Sequence, residues 1–551
     1  MRTTRMLKLL CSLLLIPGSI AFGQDNTPAP PEETEILLPP EFFDLRRLGS
    51  EEVVALLPSL PPIESPMVEV PLPEPEGVET GATTIRIPEP EEVFEEEATP
   101  GGSSVFTTGT VGAGSVNYIL GELALFKIGE DPRFRFEFLH RGLDGFAFNS
   151  PGTGYFRRVD RLSGWVAAES DGGAAVEGSA TYGEREIGFQ GRPSFYSAEF
   201  RRIEGALDVS YPLADRVSAY AAAQLGYVNR LYTVKDPTAD PPRAGESGLR
   251  PRFGVEFDFN RLRLDLHGRY ALRYLDAAES EDLQLLGGGV EVGYELGDSW
   301  RGRGAMEILH EFDRGFLFPF SLTLGYDHRD TLGVEFSGGL DYRIPSLRSL
   351  WLDRPFLASL PSDGGALPSQ EASFGEAGVS WRPPFTGLEL ELSGRYEDRR
   401  RDIDIQGYDG TEDILPFEIA RRERLSGRFL ATWSPNARLE LSAGWRREFL
   451  DRHFLEVADE GSLRGDYLTS GGVWGGRFDM AIPVYGELLL PIWNIEGYLR
   501  PLEAVEVRLG LDDVLSPLLE EGRGVGSNEP TTDYPFVQPG FTVRLETRIT
   551  L

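Results

Sequence analysis

The chain is poor in the residues that most often carry chemistry or staple a fold. It has a single cysteine, Cys11, among 551 residues, so no internal disulfide or thiolate cluster can form. Its five histidines, His140, His267, His310, His328 and His453, stand at no metal-ligand spacing from one another or from a Cys. Lysine is nearly absent: of 54 basic residues, only Lys8, Lys127 and Lys235 are not Arg. The formal net charge of -34 argues against nucleic acid as a partner, since non-specific binding needs a basic surface. No apolar run beyond the N-terminal leader approaches the ~20 residues of a membrane helix. Insertion into a bilayer would therefore take the form of a closed β-barrel, the other structure that satisfies the backbone in lipid. There is no Gly-x-Ser-x-Gly elbow and no phosphate loop. With no catalytic constellation in view, the expectation is a non-enzyme without a cofactor.

What is present falls into three zones. Arg2, Arg5 and Lys8 precede an apolar stretch from Leu9 to Ile16, and Ala21-Phe22-Gly23 places small residues at a cleavage site. Residues 1–23 thus read as a signal peptide. Residues 24–104 carry nineteen Asp/Glu against three Arg, in Pro-Glu runs such as Pro71-Leu72-Pro73-Glu74-Pro75-Glu76. Proline and like charge keep such a segment open, so it is predicted to be a disordered periplasmic spacer that could tether a periplasmic protein.

From Val105 to Leu551 the pattern changes to period two. Phe134, Phe136 and Phe138 alternate with charged residues, as do Leu262, Leu264 and Leu266, Phe320, Leu322, Leu324 and Tyr326, and Val505, Val507, Leu509 and Leu511. Short turn signals (Gly129 to Pro132, Gly297 to Ser299, His328 to Asp330, Ser434 to Ala437) separate many runs. Longer polar stretches separate others: 236–248, 345–370, 399–416 and 516–535. Short turns at one end and long loops at the other characterise outer-membrane barrels. The fold class is therefore all-β, a large antiparallel transmembrane barrel of about 20 strands, in the range 18 to 22. The count does not close between 434–437 and 501–504, where an even number is required and three runs are visible, so a strand in 451–490 is missed or misplaced. Aromatics near strand ends suggest interfacial girdles: Tyr294, Trp300, Tyr326, Trp381, Phe385, Trp433, Trp445 and Tyr498. The alternating stretch Phe541, Val543, Leu545, Ile549 and Leu551 fits a C-terminal strand read by barrel-assembly machinery. The expected location is the outer membrane of a diderm bacterium, with outer-membrane lipid as the surrounding partner.

The C-terminal residues also resemble a known family. Leu490-Pro491-Ile492-Trp493-Asn494 runs into Gly497-Tyr498-Leu499-Arg500-Pro501; Val505 to Leu511 follows, then Asp513-Val514-Leu515, and Pro539-Gly540 opens the last strand. This is similar to the final strands of TonB-dependent receptor barrels, over roughly an eighth of the chain. The resemblance implies a wide outer-membrane transport barrel. It departs from those receptors where a folded plug precedes the barrel: here the acidic spacer stands instead. The function expected is a solute channel or transporter, related to such barrels but plugless. The alternative is a non-transporting anchor whose residues 24–104 tether a periplasmic partner. A lumen so wide needs a filler, and either the 345–370 loop folded inward or the acidic spacer could supply it.

Two clusters stand out as candidate sites. Arg399, Arg400, Arg401, Arg421, Arg422, Arg446 and Arg447 crowd strand ends, with Arg424 among them and carboxylates interleaved. Guanidinium forks suit bidentate capture of carboxylate or phosphate, so these form a candidate patch for an anionic substrate or lipopolysaccharide phosphate. Asp402, Asp404, Asp409 and Asp413, around Gly407 and Gly410, place oxygens as a calcium loop would, although strands rather than helices flank them.

Overall fold

A computed structural model describes residues 104–551, apart from residues 130, 193, 237, 239–242, 278–280, 298, 330, 363–366, 385–386, 406–413, 450–458, 486, 489 and 519–536. The expected signal peptide, 1–23, and the expected acidic spacer up to residue 103 lie outside the described residues, and residue 104 already belongs to the first strand.

The alternating runs become strands of one closed antiparallel barrel. In order these are β1 (Ser104–Gly114), β2 (Ile119–Ile128), β3 (Arg133–Asp144), β4 (Phe156–Glu169), β5 (Ala175–Gly188), β6 (Phe195–Ala214), β7 (Val217–Val234) and β8 (Ala244–Phe259). Next come β9 (Leu262–Asp276), β10 (Glu281–Leu296), β11 (Trp300–Glu311), β12 (Gly315–Leu317 and Phe320–His328), β13 (Leu332–Arg343), β14 (Gln370–Trp381) and β15 (Leu388–Ile405). The rest are β16 (Phe417–Asn436), β17 (Leu439–Glu448), β18 (Asp459–Leu468), β19 (Trp474–Tyr485), β20 (Glu487–Leu488 and Ile492–Leu502), β21 (Val505–Asp512) and β22 (Thr542–Thr550). Strands β12 and β20 each run in two pieces on one neighbour, separated at Pro319 and Pro491. Proline has no N–H to give the ladder. Pairing of Thr108 with Thr550 through Gly114 with Arg544 joins β1 to β22 and closes the ring at 22 strands.

The strand missing from the sequence count is found here. Between Asn436 and Leu502 there are four strands, and two of them, β18 and β19, occupy the uncertain window. Strand β18 hides because its outer face reads Gly461, Leu463, Gly465 and Tyr467. Glycine at alternate positions erases the apolar signal, and at Gly465 a Cβ would lie 2.4 Å from the Phe478 ring.

Both ends of the barrel match the expected asymmetry. At one end the connections are short, as at residues 215–216, 260–261, 437–438 and 503–504. Gly129 and Gly297 serve two of these turns with φ of 94° and 68°, which an L side chain rarely adopts. At the other end lie residues 145–155, 344–362, 367–369, 513–518 and 537–541. The first and last strands begin and finish at the short-turn end, where Thr107 N–H donates to Leu551 O at 3.0 Å. In outer-membrane barrels that end faces the periplasm.

Along each strand one face carries exposed apolar side chains and the other charge. On β7, Leu225 and Tyr227 point outward while Gln224, Val228 and Arg230 point in. An aromatic ring of Tyr211, Tyr294, Trp300, Trp381, Trp433, Tyr467 and Trp474 marks the lipid boundary by the short turns. Tyr182, Tyr227, Tyr274, Tyr396, Trp445 and Trp493 mark the other boundary. Tyr498 is a correction: it pairs with Gly475 on the inward face and lies under Arg500 rather than in lipid.

Candidate functional site

From strand spacing of about 4.8 Å and a tilt near 40°, 22 strands enclose a lumen roughly 40 Å across between backbones. Residues 344–369, joining β13 to β14, cross it near the long-loop end. Ser346 caps a short helix, α1 (Leu347–Asp353), by accepting from Ser349 N–H at 3.2 Å. Seven strands separate β14 from β6, yet Trp351 of α1 packs on Phe200 of β6, with ring centroids 5.8 Å apart. Phe356 meets Phe189, beyond β5, at 5.4 Å. Leu347, Trp351, Phe356, Leu357 and Leu367 are buried with inward residues of the wall, among them Val228, Ala244 and Leu275. Burying large apolar side chains is the main drive for holding the segment inside, at about 1.5–3 kcal/mol each.

Polar groups fix where the segment sits. Arg230 on β7 donates to Leu357 O at 2.5 Å and to Ser359 Oγ at 2.6 Å, with its guanidinium 4.4 Å from the Trp351 ring. Arg273 on β9 holds both roots, donating to Pro345 O at 2.9 Å and Leu367 O at 2.6 Å. Glu246 on β8 accepts the N–H of Leu347 at 2.8 Å, and Arg348 pairs with Glu204 on β6 at 3.0 Å. On the far side the segment runs beside residues 415–417: Leu415 N–H donates to Phe356 O at 2.8 Å, and Leu415 O accepts from Ala358 N–H at 2.9 Å. The sequence reading did not single out Arg230, Arg273, Glu246 or Glu204. A signal was available, because the inward faces of β6 and β9 turn from charged to apolar toward this end (Ala198 and Phe200; Ala271 and Leu275), and that of β7 ends in Val228 and Tyr232.

The arginines singled out by sequence divide between the two faces of the wall. Arg399, Arg422 and Arg446 share the inward side with Arg424. Arg400, Arg421 and Arg447 share the outward side, above the lipid-facing Tyr396, Leu425 and Trp445. Arg401 sits in the β-bulge between Arg399 and Asp402, at φ 60°. Carboxylates neighbour most of them. Arg421 grips Asp398 with two hydrogen bonds of 2.8 and 2.7 Å, Arg399 donates to Glu397 at 2.8 Å, and Arg422 lies 3.8 Å from Asp402. Arg446 and Arg447 approach Glu460 and Asp459 at 3.8 and 3.4 Å. Asp402 and Asp404 lie on the inward side near Arg422, while Asp409 and Asp413 fall outside the described residues. Among the described residues, no group of three His, Cys, Asp or Glu is disposed to hold a metal ion.

Below the crossing segment the lumen is wet and charged. A cavity of about 740 Å³ on the walls of β6 to β11 is lined by six arginines and six carboxylates. A second, of about 340 Å³, is lined by Arg343, Arg395, Glu397, Arg399, Arg424 and Ser426.

No family model and no curated protein matches the chain by sequence. Solved structures match it closely in shape. Similarity extends to the copper transporter OprC, with a TM-score of 0.62 at 12% identity over 82% of this chain and 81% of that one. The ferric enterobactin receptor PfeA of Pseudomonas aeruginosa gives 0.63 at 12% identity over 82% and 81%. The FrpB iron transporter of Neisseria meningitidis gives 0.62 at 9% identity over 82% and 83%. At these identities the likeness is one of fold. With its two aromatic rings, its apolar outer face and its short-turn end, the chain has the 22-stranded outer-membrane barrel of the TonB-dependent receptors.

Proposed function

We propose that the protein is a gated outer-membrane transporter in which residues 344–369 do the work of a plug. The observation that carries this reading is the docking of the segment across the lumen by Arg230, Arg273 and Trp351. A wall built for structure alone has no use for an apolar patch inside a water-filled barrel. Such a patch is favourable only while covered, so the segment rests closed and opens when something competes for its contacts. The passenger is a hydrophilic solute, because the lumen below the segment is lined by charge and glycine. The likeness to metal and siderophore transporters in fold is compatible with this reading and names no substrate.

Single-channel conductance in planar bilayers tests it. Wild type is expected to be mostly closed. Replacing residues 347–367 with a short Gly-Ser turn should give a large, persistent conductance. Heat-modifiable gel migration reports whether the shortened barrel still folds. A folded, shortened barrel that conducts no more than wild type would refute the gate.

A further inference from the structure

The large cavity near the short turns is lined by six arginines and six carboxylates. Another cavity, of about 320 Å³, lies on the inward faces of β5 to β8 and differs in kind. Only four of its fifteen lining residues are charged, two carboxylates (Glu204 and Glu246) and two arginines (Arg250 and Arg348), so its signs cancel. Its uncharged hydrogen-bonding side chains on the lumen side are Ser179, Thr181, Gln224 and Ser346. We infer that this cavity is a binding site for a neutral polyhydroxylated solute, a small saccharide in size and chemistry.

The site is a patch of two rows, set by strand register. Thr181, Glu204, Gly226 and Gly248 form the upper row. Ser179, Ala206, Gln224 and Arg250 form the lower one, about 7 Å nearer the short turns. Ser346 and Arg348, at the cap and first turn of α1, roof the patch. The carboxylates near the roof are already engaged: Glu204 accepts from Arg348 at 3.0 Å, and Glu246 accepts the Leu347 N–H at 2.8 Å. The uncharged groups are not. Among the described residues, the Ser179 and Thr181 hydroxyls and the Gln224 amide have no hydrogen-bond partner, and Ser179 and Gln224 stand exposed to the lumen. Packing does not ask for the glycine at the centre. A Cβ on Gly226 would meet nothing within 4 Å, so what glycine leaves there is room and bare backbone. A hydroxyl or side-chain amide both donates and accepts, as a sugar hydroxyl does, whereas an ion needs partners of one sign. Trp165 stands next to Ser179 in register, its N–H given to Glu177 at 2.7 Å and its ring half-buried, which sets an apolar face beside the polar patch. The volume falls at the lower end of ligand pockets, which begin at about 300 Å³.

As the class of passenger, a saccharide deepens the transport reading and rests on it; binding itself does not, because the site is complete with the segment docked. Saturation-transfer NMR titration of the full-length protein, in a detergent without a sugar headgroup, tests it. Maltose and trehalose serve as neutral probes, citrate as an anion and glycylglycine as a zwitterion. At least one disaccharide is expected to saturate the protein, and neither charged probe is. Gly226→Leu fills the centre of the patch without a clash of its Cβ and should abolish binding. Thr181→Val and Gln224→Ala should each weaken it roughly three- to tenfold, the loss of one hydrogen bond. Arg303→Gln, in the large charged cavity, should leave it unchanged. Heat-modifiable migration reports that each variant barrel is folded. No saturation with either disaccharide, binding of citrate or glycylglycine as tight as that of a disaccharide, or a folded Gly226→Leu barrel that binds as well as wild type would overturn the site. A barrel that binds a disaccharide through these residues but conducts no more after loss of the segment would sink the gate and leave the site standing. A barrel that gates as expected and binds neither disaccharide would do the reverse.

Discussion

The lumen has two halves that satisfy their arginines differently. Toward the short turns guanidiniums pair with carboxylates on neighbouring strands. Arg303 meets Glu291 at 2.6 Å, Arg252 meets Asp265 at 2.7 Å, and Arg477 meets Asp466 at 2.6 Å. Toward the long loops, Arg230 and Arg273 give their hydrogen bonds to backbone carbonyls of residues 344–369 instead. The first arrangement is complete within the wall. The second is complete only while the segment is docked. If residues 344–369 left, Arg230 would face an apolar patch without the carbonyl it now holds. The docked state is therefore written into the wall as well as into the segment.

The sharpest way to break this contrast is Arg230→Ala. It removes two hydrogen bonds to a charged group, at about 1.5–3 kcal/mol each in buried settings. It also removes the stacking on Trp351, worth on the order of 2 kcal/mol when desolvated. Even at the low end, a loss of about 5 kcal/mol, the shift toward the undocked segment is roughly several thousandfold. The fraction of time open in single-channel records should rise accordingly, with the barrel still heat-modifiable; an unchanged closed fraction would mean the segment is held by other contacts. Lysine should not rescue, since its single ammonium cannot both bond two oxygens and stack. Glu246→Gln is milder. It keeps the shape and loses the charge that accepts the Leu347 N–H at the start of α1. About 1 kcal/mol, or roughly fivefold in open fraction, is the expected effect. A shift as large as that of Arg230→Ala would show that Glu246, not Arg230, is the main anchor.

How much of this was legible in sequence follows the same division. The lipid face was readable because bulky apolar residues recur every second position, as at Leu262, Leu264 and Leu266 or Phe320, Leu322 and Leu324. The ring of strands was nearly countable for the same reason. It failed at β18, where Gly461 and Gly465 take outward positions. The arginine cluster was visible as composition, yet composition does not say which way a side chain points. The bulge between Arg399 and Asp402 shifts the alternation by one residue, so inward and outward residues cannot be followed through it by parity alone. The crossing segment was legible only as one of two candidates for filling the lumen. Its anchors come from strands more than 60 residues away in the chain, such as Arg230 for Leu357 and Arg273 for Pro345. No local pattern encodes that pairing. Its trace in the sequence is the apolar turn taken by inward faces that are otherwise charged.

The smallest effect tests the other half of the contrast. Arg303 sits on β11 with its side chain 68% exposed to the lumen, paired to Glu291 on β10. Water competes for both partners, so the pair contributes little, in the range of 0–1 kcal/mol. Arg303→Gln should leave the temperature of heat-modifiable unfolding nearly unchanged and should not alter the open fraction. It should act on passage instead. Removing one positive charge from a balanced wall makes the open pore of the segment-deleted protein slightly more cation-selective, read as a small shift in reversal potential under a KCl gradient. Raising the salt should erase that shift, because charges exposed to a wet lumen are screened within about 10 Å at 0.1 M. A shift that persists at 1 M KCl, or an effect of Arg303→Gln on gating as large as that of Glu246→Gln, would mean that the two halves are coupled and that the wall near the short turns also senses the segment.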